Sequence, residues 1–109
     1  METGTTLMET VVSDPADHDG MLFGGNALRL MGNAALAAAR RHTNGKVAMT
    51  RTDDVCFHQP VAIGQLLELT ARVIHTDAAS MTILVDGMVQ SPAGRRTLAM
   101  SGYFQMVAV

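Results

Sequence analysis

Between residues 24 and 42 the polar positions Arg29, Gly32, Asn33 and Arg40 fall on one narrow stripe of a 3.6-residue period. Leu28, Leu30, Met31, Ala34, Ala35, Leu36, Ala38 and Ala39 cover the rest of the circumference. The pattern predicts a helix of roughly 28 Å at 1.5 Å per residue. Being apolar almost all round, it is expected to be buried. Arg40 and Arg41 sit in its last turn, where the helix dipole favours cations, and Asn44-Gly45 supplies the stop. Beyond that stop the period falls to two. Residues 47–57 alternate, as do residues 66–74, where Leu67, Leu69, Ala71 and Val73 oppose Glu68, Thr70 and Arg72. Residues 81–89 repeat the alternation through Met81, Ile83 and Val85, and residues 98–109 through Leu98, Met100, Phe104 and Met106. A fifth strand is expected ahead of the helix over residues 5–12, ending in the turn-rich run 13–20. The Pro, Gly, Asp and Ser of residues 59–64, 75–80 and 90–94 predict hairpin connections.

Strand, buried helix and four antiparallel strands make an α+β arrangement, one long helix against one curved sheet of about five strands. A sheet of that length in a short chain leaves edges and a face uncovered. A homo-oligomer is expected, most simply a dimer that joins edges.

Composition narrows the class. A chain of 109 residues, 48% hydrophobic and 17% charged, has enough apolar mass for one core, so a single domain over residues 1–109 is expected. The net charge is −2, and basic residues are adjacent only at Arg40-Arg41 and Arg95-Arg96, which excludes a nucleic-acid footprint. Cys56 is the only cysteine and no C-x-x-C or H-E-x-x-H spacing occurs, so neither a disulfide scaffold nor a metal site is expected. The first ten residues lack a basic-then-apolar leader, and the longest apolar run, residues 34–39, is far too short to span a bilayer. The expectation is a cytoplasmic protein with no membrane partner. Nine methionines against three phenylalanines, one tyrosine and no tryptophan suit an adaptable core or a pocket for flexible chains.

The runs HDGMLFGGNALRLMGNAALAAARRH and TRTDDVCFHQPVAIGQLLELTARVIHTDAASM, with the terminal GYFQMVAV, resemble the acyl-CoA thioesterases (acyl-CoA hydrolases) of the hotdog fold. The resemblance extends over residues 7–109 and rests on Phe23-Gly24-Gly25 at the helix start, Phe57-His58-x-Pro60 with Gly64 four residues on, and Ser80-Met81. It implies a sheet wrapped round a central helix, assembled as a dimer and often as a trimer of dimers. Acyl-CoA would bind at the protomer interface, CoA entering as part of substrate or product with no separate cofactor. Gly24 and Gly25 would let the backbone approach the thioester, and the free amides of the helix N-terminus would face its oxygen. Phe23, Gly24, Asn26, Phe57, His58 and Ser80 form the implied substrate-binding set. The implied catalytic positions are Gly25, Gly32 and Asp19.

The carboxylate half of the site departs from the family. Where similar enzymes carry an aspartate after L-x-x-M in the helix, LRLMGNAA places Gly32. A glycine inside an Ala/Leu-rich helix costs about 1 kcal/mol relative to alanine. It marks either a lost side chain or a close helix contact. Asn33, adjacent in sequence, projects about a hundred degrees away. Asp19, in the loop before Phe23, would reach the thioester from a partner protomer. Asp54, Cys56 and His58 share one strand face by period two, so a Cys/His nucleophilic pair is conceivable beside the simpler reading of an inert buried cysteine. His58 has an architectural reading too, bonding the loop near the site, and Asp53 fits a supporting acidic position. Cys56 and Ala78 depart from residues common in the family, an Asp or Asn and a basic residue. Three classes follow: an acyl-CoA thioesterase weakened at Gly32, a non-catalytic acyl-CoA-binding hotdog protein, and a hydratase read from Asp14 and His18.

Overall fold

The computed structural model describes residues 4–10, 20–22, 24–91 and 93–109. The elements run β1 (Gly4–Thr10), α1 (Gly24–Thr43), β2 (Val47–Phe57), β3 (Leu66–Asp77), β4 (Ser80–Gln90) and β5 (Arg96–Ala108). The strands form one five-stranded sheet in the order β1-β3-β4-β5-β2, every neighbouring pair antiparallel. α1 touches all five strands. Strands about 4.8 Å apart make a sheet roughly 19 Å across. It reaches a single helix from every strand by curling round it.

The helix ends as its sequence requires, with one change of residue. Asn44 adopts the left-handed conformation at φ 57°, and its amide donates to the Arg40 carbonyl at 2.8 Å. This closes the helix through an asparagine, which tolerates that region, and not through Gly45. Thr43 donates to the Ala39 carbonyl at 3.2 Å and extends the helix one residue past His42. Arg41 donates to Thr5 Oγ1 at 3.2 Å, tying the end of α1 to β1.

The helix is buried on one face only, through Ala27, Met31, Ala34, Ala35, Ala38 and Ala39. Small alanines let the backbone lie close on the sheet, where Phe104, Leu67, Leu69, Ile83, Met100 and Met106 fill the space beneath. The opposite face corrects the expectation of burial all round. Leu28 is 38% exposed, and Gly25, Arg29 and Asn33 are exposed beside it, because none of the described strands closes over that side.

Period-two reading holds for β3, where Leu67, Leu69, Ala71 and Val73 are buried, and for β4, where Met81, Ile83 and Val85 are. It fails at Leu98. A register shift between Gly87 and Met88 turns Leu98 outward and buries Ala99 beside Met100 instead. It fails again in β2, an edge strand with no buried residue and with shifts between Met49 and Arg51 and between Asp53 and Cys56. β3 and β4 run past their expected ends, so the turn expected over residues 75–80 shrinks to Ala78-Ala79, and β5 starts two residues early and stops at Ala108. β1 covers residues 4–10, and the rest of the expected strand and turn, residues 11–19, lies outside the described residues.

The hairpin expected over residues 59–64 is absent, since β2 pairs with β5 and β3 lies between β1 and β4. The segment crosses the end of the sheet instead. Leu22 donates to Val61 at 2.8 Å and Ile63 to Gly20 at 2.8 Å, and Met21 bridges Ala62. Val61, 2% exposed, anchors the crossing in the core.

β4 and β5 approach closely at Gly87, where an added Cβ would lie 2.6 Å from Met100 Cγ and 3.3 Å from Leu67 Cδ1. Neither neighbour is free to move away in a filled core. Gly87→Ala is therefore expected to destabilise the fold by about 1–3 kcal/mol, read as a lower urea midpoint at unchanged slope.

Candidate active site

The N-terminus of α1 opens on two cavities. One, of about 280 Å³, is lined by Leu22, Gly24, Ala27, Phe57, His58, Gln59, Pro60, Val61 and Met100. The other, of about 540 Å³, lies over the uncovered side of the helix and is lined by Gly25, Leu28, Arg29, Gly32, Asn33, Leu36, Met49, Thr52 and Phe104. The paired glycines thus divide between the cavities, Gly24 facing the first and Gly25 the second. No acidic side chain lies in the first turn of α1. Its free amides keep their positive field and can stabilise an oxyanion or an anion placed there.

Gly32 lies two helical turns beyond Gly25, about 10 Å along the axis at 1.5 Å per residue, and faces the same cavity. A Cβ at Gly32 would meet only Met49 Cε at 3.3 Å. That atom is the tip of a flexible side chain that is 43% exposed. Close helix packing is therefore not what holds glycine at this position. Asn33 lines the same cavity, which corrects the expectation that it projects elsewhere. A wide cavity takes in neighbouring positions of one helix face.

Phe57 and His58 stand at the end of β2 beside Gly24; a Cβ on Gly24 would lie 3.7 Å from Phe57 Cε2. His58 and Gln59 both donate backbone N–H to the Ala99 carbonyl, at 2.7 and 3.3 Å. The His58 ring shares a 2.9 Å hydrogen bond with Ser101 Oγ. These bonds fix the loop at the cavity rim. The His58 ring is bonded to Ser101 and not to Cys56, and the bulge between Asp53 and Cys56, with Asp54 at φ 50°, takes Asp54 out of the period that put it on one face with Cys56 and His58. Cys56 is exposed, not buried. An edge strand with no buried position has no interior to place it in. Asp53 pairs with Arg51 at 3.0 Å on the surface, where an ion pair contributes about 0–1 kcal/mol.

Ser80 opens β4 opposite Val107, whereas Phe57 is opposite Met100. Seven residues of β5 separate the two, roughly 23 Å at the strand rise. One chain does not bring Ser80 to the helix N-terminus. Asn26 is half-buried in the first turn of α1. Asp19 and Phe23, like Asp14 and His18, lie outside the described residues. Ser101, Met49 and Thr52 enter the site only through the strand order and the β2 bulges, for which the linear pattern carries no signal. Among the described residues no three His, Cys, Asp or Glu side chains converge as metal ligands. No described helix is long and apolar enough to cross a membrane.

The fold and this site have known counterparts. The model of the thioesterase superfamily matches residues 19–93. An uncharacterized acyl-CoA thioester hydrolase of Zymomonas mobilis is 35% identical over 102 residues, covering 91% of this chain and 68% of that protein. The hexameric thioesterase y2039 of Yersinia pestis superposes with a TM-score of 0.87 at 29% identity, covering 94% of this chain and 84% of the other. An acyl-CoA hydrolase of Staphylococcus aureus, solved with butyryl coenzyme A, coenzyme A and coenzyme A disulfide, has the same fold, with a TM-score of 0.90 at 24% identity. The match covers 97% of this chain and 65% of the Staphylococcus aureus chain, so the sequence spans about two thirds of that enzyme's length. With its helix cradled by a five-stranded antiparallel sheet, its helix-start glycines and these relatives, the chain belongs to the thioesterase superfamily, among the hotdog-fold acyl-CoA hydrolases.

Proposed function

We propose that this chain binds acyl-CoA over the N-terminus of α1 and hydrolyses its thioester slowly to free acid and CoA. The observation that carries the reading is Gly25 and Gly32 facing one largely apolar cavity from a helix with no acid in its first turn. Water oxygen bonds to the carbonyl carbon while the helix amides hold the developing oxyanion. The C–S bond then breaks, and the CoA sulfur leaves with a proton from the attacking water. The step the site lacks is removal of that proton, because no carboxylate of the described residues lines the cavity. Asp19, brought from a partner protomer, is the candidate replacement. Phe23, Gly24, Asn26, Phe57, His58 and Ser80 are the proposed contacts to substrate, Ser80 from a neighbouring protomer because of its distance.

The missing carboxylate favours one second reading, a hotdog protein that binds acyl-CoA without turning it over. The uncovered side of α1, with Leu28 38% exposed on it, and Phe57, 49% exposed at the neighbouring cavity, support a homo-oligomer. The Yersinia pestis relative is hexameric. A dimer, or a trimer of dimers, is the proposed assembly, and a single cytoplasmic domain is the proposed setting. Thiol release from short, medium and long acyl-CoAs, run beside calorimetric titration with CoA, tests the reading. Binding with slow release is expected. Binding with no release at all selects the second reading, and absence of binding removes both.

A further inference from the structure

Resting on the acyl-CoA reading, we propose that the cavity over α1 accepts an acyl group that itself ends in a carboxylate, a half-thioester of a dicarboxylic acid, and that Arg29 receives that carboxylate. Arg29 is the one charged side chain among the described residues lining the cavity, with walls of Leu28, Leu36, Met49 and Phe104. Arg29 has no carboxylate partner among the described residues. The position from which the helix would neutralise it is Gly32, one turn on, which has no side chain.

A cavity with apolar walls and a cation without a counter-charge discriminates in one direction. A carboxylate brought into an apolar site unpaired loses its hydration with no return. Opposite a guanidinium it gains two parallel charge-assisted hydrogen bonds. Arg29 lies one turn from Gly25, about 6 Å along the axis. A thioester at the Gly25 amide would therefore put the far end of a short acyl chain beside the guanidinium. Asn33, a further turn along, and Thr52, across on β2, offer an amide and a hydroxyl donor to the same oxygens.

The test uses two CoA thioethers that cannot be hydrolysed, S-hexyl-CoA and S-(5-carboxypentyl)-CoA, titrated with CoA alone into the full chain and into Arg29→Gln. The carboxylated ether is expected to bind about fivefold more tightly than the hexyl ether, and Arg29→Gln to bring the ratio to one or below. Three outcomes overturn the proposal: a ratio of one or below in the parent chain, a ratio that survives Arg29→Gln, or a loss in the variant equal for both ethers and for CoA alone. The last would assign Arg29 to the CoA phosphates. Failure of all three ligands to bind the parent chain is a distinct result, which removes the acyl-CoA reading itself.

Discussion

Gly32→Asp is expected to raise thioester hydrolysis at least tenfold. The new carboxylate enters the cavity that Gly25 faces, on the same helix and two turns from the amides that hold the oxyanion. A positioned general base contributes on the order of 10²- to 10⁴-fold, and a tenfold floor allows for imperfect alignment in a cavity not shaped around it. The fold accommodates the change. Its Cβ meets only Met49 Cε, 3.3 Å away, at the free end of a half-exposed chain. Leaving glycine recovers a few tenths of a kcal/mol of helix propensity, and the pair with Arg29 three residues earlier adds about 0.2–0.5 kcal/mol. Thiol release from both chains, with Gly32→Asn as the isosteric control that cannot take a proton, checks it. A well-folded Gly32→Asp no faster than its parent or its Asn control would show that the helix carboxylate has no role in this chain.

The second large effect falls on stability. Phe104→Ala is expected to cost about 3–5 kcal/mol, the usual result of emptying a filled aromatic site. Phe104 is 1% exposed, projects from β5 toward the helix and forms the floor of the cavity under Gly32. Against a typical total of about 5–15 kcal/mol, such a loss brings the fold near its limit. Urea unfolding measures it. A cost under about 1 kcal/mol would mean that neighbouring methionines collapse into the space, as their flexibility permits.

How much of this was legible in the linear chain depended on which neighbours decide each residue's environment. The alternation of β3 and β4 was readable because those strands lie inside the sheet and pack one face on the helix, so burial follows sequence parity. The helix was readable for a related reason: its length and stop are local. Its burial was not, because Leu28 and Leu36 face a cavity that none of the described strands closes over, and apolar character alone does not say what supplies the cover. β2 misled for want of tertiary information. Its bulges and the positive φ of Asp54 are set by pairing with β5, so Asp54 leaves the period-two face shared by Cys56 and His58. Gly32 stood out inside an Ala/Leu-rich helix, and its reading as a vacancy came from the family resemblance. That Arg29 shares its helix face was read from the period, whereas Met49 beside it required the fold.

β2 pairs with the last strand of the chain, Thr52 against Phe104 and Met49 against Met106. During synthesis β1, α1 and β2 emerge in turn, and β3, β4 and β5 follow as local hairpins that can close early. β2 has no ladder to join until β5 is complete, more than fifty residues later. Until then β2 waits unpaired along its whole length, exposed to chaperones or to wrong partners. The wall that carries Met49 and Thr52 is thus the last piece of the cavity to form, and shortening the chain within β5 would remove it without deleting any residue of β2.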